Sequence, residues 1–109
     1  MNLLPHNQDN AVLLRLREEL DRVYGARLDR VVLYGSRARG QARNDSDYDV
    51  AVFLRDLNDR RQERNRLADL ATDILYSEGR LVHVLPFPAG SYDDRTPLMH
   101  EIRKDGRDL

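Results

Sequence analysis

Residues 30–34, Arg-Val-Val-Leu-Tyr, form a short β-branched run that stops at Gly35. Such a run reads as a buried strand. A glycine directly after it lets the backbone turn tightly and approach a ligand. From Gly35 to Asn44 the residues are small and polar, and the next run, Tyr48 to Leu54, is again a strand with apolar residues on both faces. The fold must therefore bury two strands joined by a short polar segment.

Helical periodicity flanks this pair. Asp9 or Asn10 is a cap for a helix beginning near Ala11, after a loose start over the first nine residues. Leu13, Leu16, Leu20, Val23 and Tyr24 share one face of it, and Gly25 is its stop. Asn58 or Asp59 is a cap for a second long helix. Its first half, Asp59 to Arg66, is almost wholly charged and is predicted to be solvated. Its second half places Leu67, Leu70, Ala71, Ile74 and Leu75 on one face, and Gly79 ends it. Leu81 to Leu85 reads as a third strand closed by Pro86 and Pro88, and residues 88–95 as a loop. Thr96 and Pro97 start a last helix, as cap and first residue. Leu98, Met99 and Ile102 give that helix an apolar side, read as core, and Gly106 stops it.

The order is helix, strand, strand, helix, strand, helix. A crossover through the long helix allows strands two and three to run parallel. The expected fold is α+β (mixed α/β): a small mixed β-sheet with helices packed mainly on one face. At 109 residues there is room for one domain, spanning residues 1–109.

Composition narrows the functions open to such a domain. Eighteen basic residues face nineteen acidic ones, for a net charge of −1. Bulk grip on a nucleic-acid backbone needs clustered positive charge, so no direct nucleic-acid binding is expected. One nucleotide remains open as a ligand. The absence of cysteine excludes disulfides, thiolate zinc sites and a cysteine nucleophile. No apolar run approaches the ~18 residues of a membrane span, and the N-terminus lacks a signal-peptide pattern, so a cytoplasmic protein is expected.

The chemistry is concentrated in Gly35-Ser36-Arg37-Ala38-Arg39-Gly40 and Asp45-Ser46-Asp47-Tyr48-Asp49. If Ser36 opens a short helix, the backbone N–H groups there form a phosphate site, to which the serine hydroxyl adds a donor and Arg39 adds charge. Residues i and i+2 of a strand point to the same side, so Asp47 and Asp49 bring two carboxylates together. They repel unless a cation lies between them or one is protonated. Magnesium suits, because it takes one or two carboxylates plus substrate phosphates. A calcium loop is excluded: Asp45, Asp47, Asp49 and Asp56 have its spacing, but Val50 stands where it needs glycine.

Gly35, Ser36, Ala38, Arg39 and Gly40, a short polar gap, then Ser46, Asp47 and Asp49 before a β-rich run together resemble the core motif of the nucleotidyltransferase (DNA polymerase β-like) superfamily. The segment is most similar to its small stand-alone members, the minimal nucleotidyltransferases. The match is strongest over residues 31–54, and the element order extends it over most of the chain. The resemblance implies that Gly35 and Ser36, with Arg39 and Ser46 of the same motif, bind the nucleotide, and that Asp47 and Asp49 bind Mg²⁺, with ATP as substrate. It also implies a partner: a small helical HEPN protein, often a toxic RNase, which the nucleotidyltransferase restrains as an antitoxin. The two form a complex, and active members transfer AMP to a tyrosine of the toxin. A chain of this length has no separate domain for the acceptor, which is expected to come from the partner.

One position departs from the pattern. Active relatives carry a third carboxylate on the strand after the long helix, as base and metal ligand. Here that strand is Leu81-Val82-His83-Val84-Leu85, and His83 is its polar candidate. An imidazole accepts a proton near pH 7 but binds Mg²⁺ poorly. Two readings follow: an AMP-transferring antitoxin with His83 in a catalytic role, or a degenerate module of the same fold that neutralises its partner by binding alone. A small-molecule nucleotidyltransferase with an acceptor site between subunits is a third.

Overall fold

The computed structural model describes residues 7–109, with side chains from Ala11 onward. Helix α1 spans Asn7–Tyr24 and is followed by one 3₁₀ turn and strand β1, Leu28–Tyr34. A single helical turn, α2, occupies Gly35–Ala38. Strand β2 runs over Tyr48–Leu54, helix α3 over Arg60–Glu78 and strand β3 over Val82–Pro88. A second 3₁₀ turn leads to α4, Pro97–Asp105, and to a two-residue strand β4, Arg107–Asp108.

The four strands form one mixed sheet in the order β3-β2-β1-β4. β1 and β2 are antiparallel, with Tyr34 opposite Asp49. β2 and β3 are parallel, as the α3 crossover allows, with Asp49 opposite His83. β4 pairs with the middle of β1, Val32 opposite Asp108.

Strand alternation divides the apolar residues between two faces. Val31, Leu33, Val50, Val52 and Val84 meet Leu16 and Leu20 of α1 and Leu67, Leu70 and Ile74 of α3 in the larger core. Val32, Tyr34, Ala51 and Phe53 meet Met99 and Ile102 of α4, together with Phe87 and Tyr92. The two long helices thus share one face, and only the short C-terminal helix takes the other. Burying each large aliphatic side chain contributes roughly 1.5–3 kcal/mol. Leu16 and Ile74, at 0% exposure, are at the centre of that term.

Local signals in the sequence fix most boundaries. The Asp59 carboxylate accepts from Gln62 N at 3.1 Å and caps α3, and Gly79 closes it in the left-handed region at φ 71°. Thr96 Oγ1 accepts from Met99 N at 3.1 Å, with Pro97 in the first turn of α4.

Four expectations are corrected. α1 is already helical at Asn7, so Asp9 and Asn10 lie inside it rather than at its cap; their side chains fall outside the described residues, as do residues 1–6 of the expected loose start. Once the buried face nucleates the helix, each further residue adds a hydrogen bond at little cost. β3 does not stop at Leu85 but continues through Pro86 to Pro88 beside Val52 and Leu54. It is an edge strand, where proline breaks no ladder bond when its nitrogen faces outward. Leu75 is 41% exposed and does not join the α3 core face. Glu63, in the half of α3 expected to be solvated, is 5% exposed. Its carboxylate lies 3.9 Å from both Arg27 and Arg66, so charge from another element draws it in.

Among the described residues, no helix is long and apolar enough to cross a membrane.

Candidate functional site

The residues singled out by the motif collect where β1 ends and β2 and β3 begin. Gly35 leaves β1 with φ 75°, a left-handed conformation that favours glycine. A second constraint is tighter. A Cβ at Gly35 would stand 2.6 Å from Asp49 Oδ2. The missing side chain is what lets the carboxylate lie against the turn. Asp49 is in turn 3.7 Å, Oδ1 to Nδ1, from His83 on the neighbouring strand. The parallel register puts these two side by side, and both stay accessible, with side chains 35% and 60% exposed. Asp47 is exposed and lies just ahead of β2, two residues before Asp49.

Below this group, on the same sheet face, Tyr34 is buried. Burial first, then the charges of Asp49 and Glu101, raise its hydroxyl above the ordinary phenol range. The Tyr34 side chain remains protonated and neutral under the acidic rim.

Ser36 is the second residue of the single turn of α2, which opens at Gly35, and is half-buried. Its carbonyl accepts from Gln41 N at 2.9 Å, and the Gly35 carbonyl accepts from Arg39 N at 3.2 Å, which folds the chain back toward β2. Ser46 Oγ accepts from Arg43 N at 2.9 Å, closing a turn just ahead of Asp47. Arg39 points toward α4: its Nε donates to Gln41 Oε1 at 3.1 Å, and its guanidinium lies 3.9 Å from Glu101. The structure thus groups Gly35, Asp49 and His83 closely, leaves Ser36 next to Gly35 in α2 and Asp47 exposed just ahead of β2, and ties Ser46 and Arg39 into the surrounding loop.

The family model for polymerase beta nucleotidyltransferases matches residues 18–109. The chain belongs to this family. Solved structures share the nucleotidyltransferase fold. A crystal structure of a toxin–antitoxin with AMP-PNP matches at TM-score 0.62 and 20% identity, over 94% of this chain and 72% of that one. A MntA-HpeT toxin–antitoxin with two aspartates replaced by glutamate matches at TM-score 0.61 and 18% identity, over 94% of this chain and 72% of that one. A candidate minimal nucleotidyltransferase matches at TM-score 0.60 and 20% identity, over 96% of this chain and 98% of that one. At these identities the likeness is one of fold. No curated protein matches the sequence.

A nucleotidyltransferase needs a divalent cation, and the residues present fit one. The donors expected from the motif, Asp47 and Asp49, would offer carboxylate oxygens, and the space at Gly35 seats Asp49 without a clash. Two carboxylates leave coordination positions for water and phosphate. Among the described residues no cluster of three or more acidic, histidine or cysteine side chains converges on one point. The place expected for a third carboxylate holds His83.

Arg37 lies inside the motif but has no role in the sequence reading. Its guanidinium lies 4.1 Å over the Tyr48 ring and donates to the carbonyls of Arg43, Asn44 and Ser46. The only sequence hint was its place between a glycine turn and a tyrosine flanked by aspartates.

Proposed function

We propose that this nucleotidyltransferase is a cytoplasmic antitoxin that takes Mg-ATP and transfers AMP to a hydroxyl, a tyrosine by expectation, on a HEPN-type toxin. The observation that carries this reading is the seating of Asp49 against the glycine turn with His83 beside it, in a chain of this family. The toxin–antitoxin structures of the same fold, one with AMP-PNP and one with two aspartates at an i, i+2 spacing replaced, support the choice of nucleotide and partner.

In this mechanism Gly35 and Ser36 hold the triphosphate, through backbone N–H groups and the serine hydroxyl. Arg39 adds charge by leaving Glu101, and Ser46 keeps the approach loop closed. Asp47 and Asp49 hold magnesium, which when bound supplies positive charge to the phosphate oxygens. His83 accepts the proton of the acceptor hydroxyl. The acceptor oxygen bonds to the α-phosphorus, the bond from that phosphorus to the β-phosphate oxygen breaks, and pyrophosphate leaves. The partner supplies the acceptor and holds it in line, the larger part of the entropy that such a transfer must overcome.

A second reading is favoured by His83 itself. An imidazole in place of the third carboxylate binds Mg²⁺ poorly, which fits a module that neutralises its partner by contact alone. Mixing the chain with the product of the adjacent gene and labelled ATP separates the two. Transfer predicts a labelled partner and no label with the Asp47→Asn/Asp49→Asn variant. An unlabelled partner that both proteins still neutralise establishes the contact reading instead.

A further inference from the structure

We infer that Arg37 is a positioning residue, the clasp that holds the loop before Asp47 so that this carboxylate stands beside Asp49. The inference rests on the proposed magnesium-dependent reaction, in which Arg37 touches neither nucleotide nor acceptor.

The loop from Arg39 to Asp47 has no regular structure of its own beyond turns. An untethered loop of this kind would leave Asp47 free to move away from Asp49. Arg37 prevents that from the inside. Its Nε donates to the Ser46 carbonyl at 3.1 Å, and its Nη2 donates to the same carbonyl at 2.9 Å. Nη2 also reaches the carbonyls of Arg43 at 3.1 Å and Asn44 at 3.3 Å. The last residue so held, Ser46, is the immediate neighbour of Asp47. The far side of the guanidinium is fixed by the Tyr48 ring, 4.1 Å away, and Tyr48 is 1% exposed in the larger core. Residues on both sides of Asp47 are therefore anchored to one planar group. Arginine suits this role because its rigid fork serves several acceptors while its face stacks on an aromatic ring. Lysine keeps the charge and loses the fork.

The test compares wild type with Arg37→Lys and Arg37→Gln, with far-UV circular dichroism to verify the fold. Amide hydrogen exchange is read across the whole chain, without nucleotide. Residues 43–47 are expected to exchange at least about tenfold faster in both variants, with β1 and β2 unchanged. Mg²⁺ titrations of ATP binding are then read. The half-saturating Mg²⁺ concentration is expected to rise about tenfold, and excess Mg²⁺ to restore ATP binding, because a loosened metal site is filled by mass action.

Unchanged exchange in residues 43–47 overturns the clasp. Faster exchange with an unchanged Mg²⁺ requirement leaves only a structural arginine and overturns the positioning role. Unfolding of both variants assigns Arg37 to the core and does the same. A wild-type chain that fails to bind Mg-ATP overturns the proposed reaction, and with it the metal half of the inference, while exchange still decides whether the clasp exists.

Discussion

The two ends of the β1–β2 pair are built from the same part and used differently. At the end away from the motif, Arg55 donates to the carbonyls of Ala26 at 2.6 Å and Leu28 at 3.2 Å, and to Asp29 at 2.7 Å. At the motif end, Arg37 gathers the carbonyls of Arg43, Asn44 and Ser46. Each arginine binds a turn to the sheet. The acids around them differ. Asp29 is answered by Arg55, and Glu63 by Arg27 and Arg66. Asp49 faces a histidine and the bare backbone of Gly35. Carboxylates answered by arginine hold the fold. In the proposed reaction, the carboxylate set against the glycine turn is the one that takes a cation from outside.

Substitution at Gly35 would break this contrast most severely. In Gly35→Ala the new methyl collides with Asp49, and the residue keeps a positive φ. A stability loss of about 1–3 kcal/mol is expected by thermal melting. AMP transfer should fall at least about a hundredfold, the scale of a 1 Å misplacement at a reacting centre. Wild-type transfer in that variant would show that the close approach is incidental. Next in size is Arg55→Ala, expected to cost about 1–2 kcal/mol in urea unfolding while Mg-ATP binding stays at the wild-type value. An equal loss of nucleotide affinity would mean that the two ends are one unit.

The smallest expected effect is at Tyr24. Its hydroxyl and one Glu63 oxygen are buried without a hydrogen-bond partner. Burial, then the neighbouring Glu63 carboxylate, pushes the phenol far above its ordinary range. The two groups do not meet in hydrogen-bond geometry, so burial and charge are the causes on which the direction stands. A folded-state pKa above the unfolded value means that the native chain keeps a proton the unfolded chain loses. Stability should therefore be intact below about pH 10 and fall as the pH rises further. Tyr24→Phe should flatten that alkaline loss, leaving the share due to Tyr34, and change neutral-pH stability by less than about 1 kcal/mol. Denaturant midpoints measured from pH 7 upward test it, and an unchanged alkaline slope would remove Tyr24 from this role.

What the residues declared in advance was local. Asp59, Thr96, Pro97 and Gly79 announce helix ends because caps act within a turn or two of the chain. The apolar runs around Gly35 and Asp49 announce strands for the same reason. What stayed hidden depends on parts distant in sequence. Glu63 looks like a surface acid until Arg27, from before β1, comes alongside. β4 is too short to announce itself and exists only against Val32 and Leu33. Arg37 becomes a clasp only once the loop has closed around it. The resemblance named the candidate residues Gly35, Asp47 and Asp49, but the close approach of Asp49 to Gly35, which adds to the positive φ in favouring glycine, is made from the neighbouring strand.

The parallel pairing of β2 and β3 has a consequence for the order of assembly. β1 and β2 are near neighbours in sequence, whereas His83 reaches Asp49 only after α3 has carried the chain back across the sheet. Non-local pairings of this kind form slowly, because the loop must close before any contact rewards it. A chain still leaving the ribosome at Asp59 already displays both aspartates and lacks the imidazole. The Asp49–His83 contact is therefore absent until β3 docks, and its formation reports that the fold has closed.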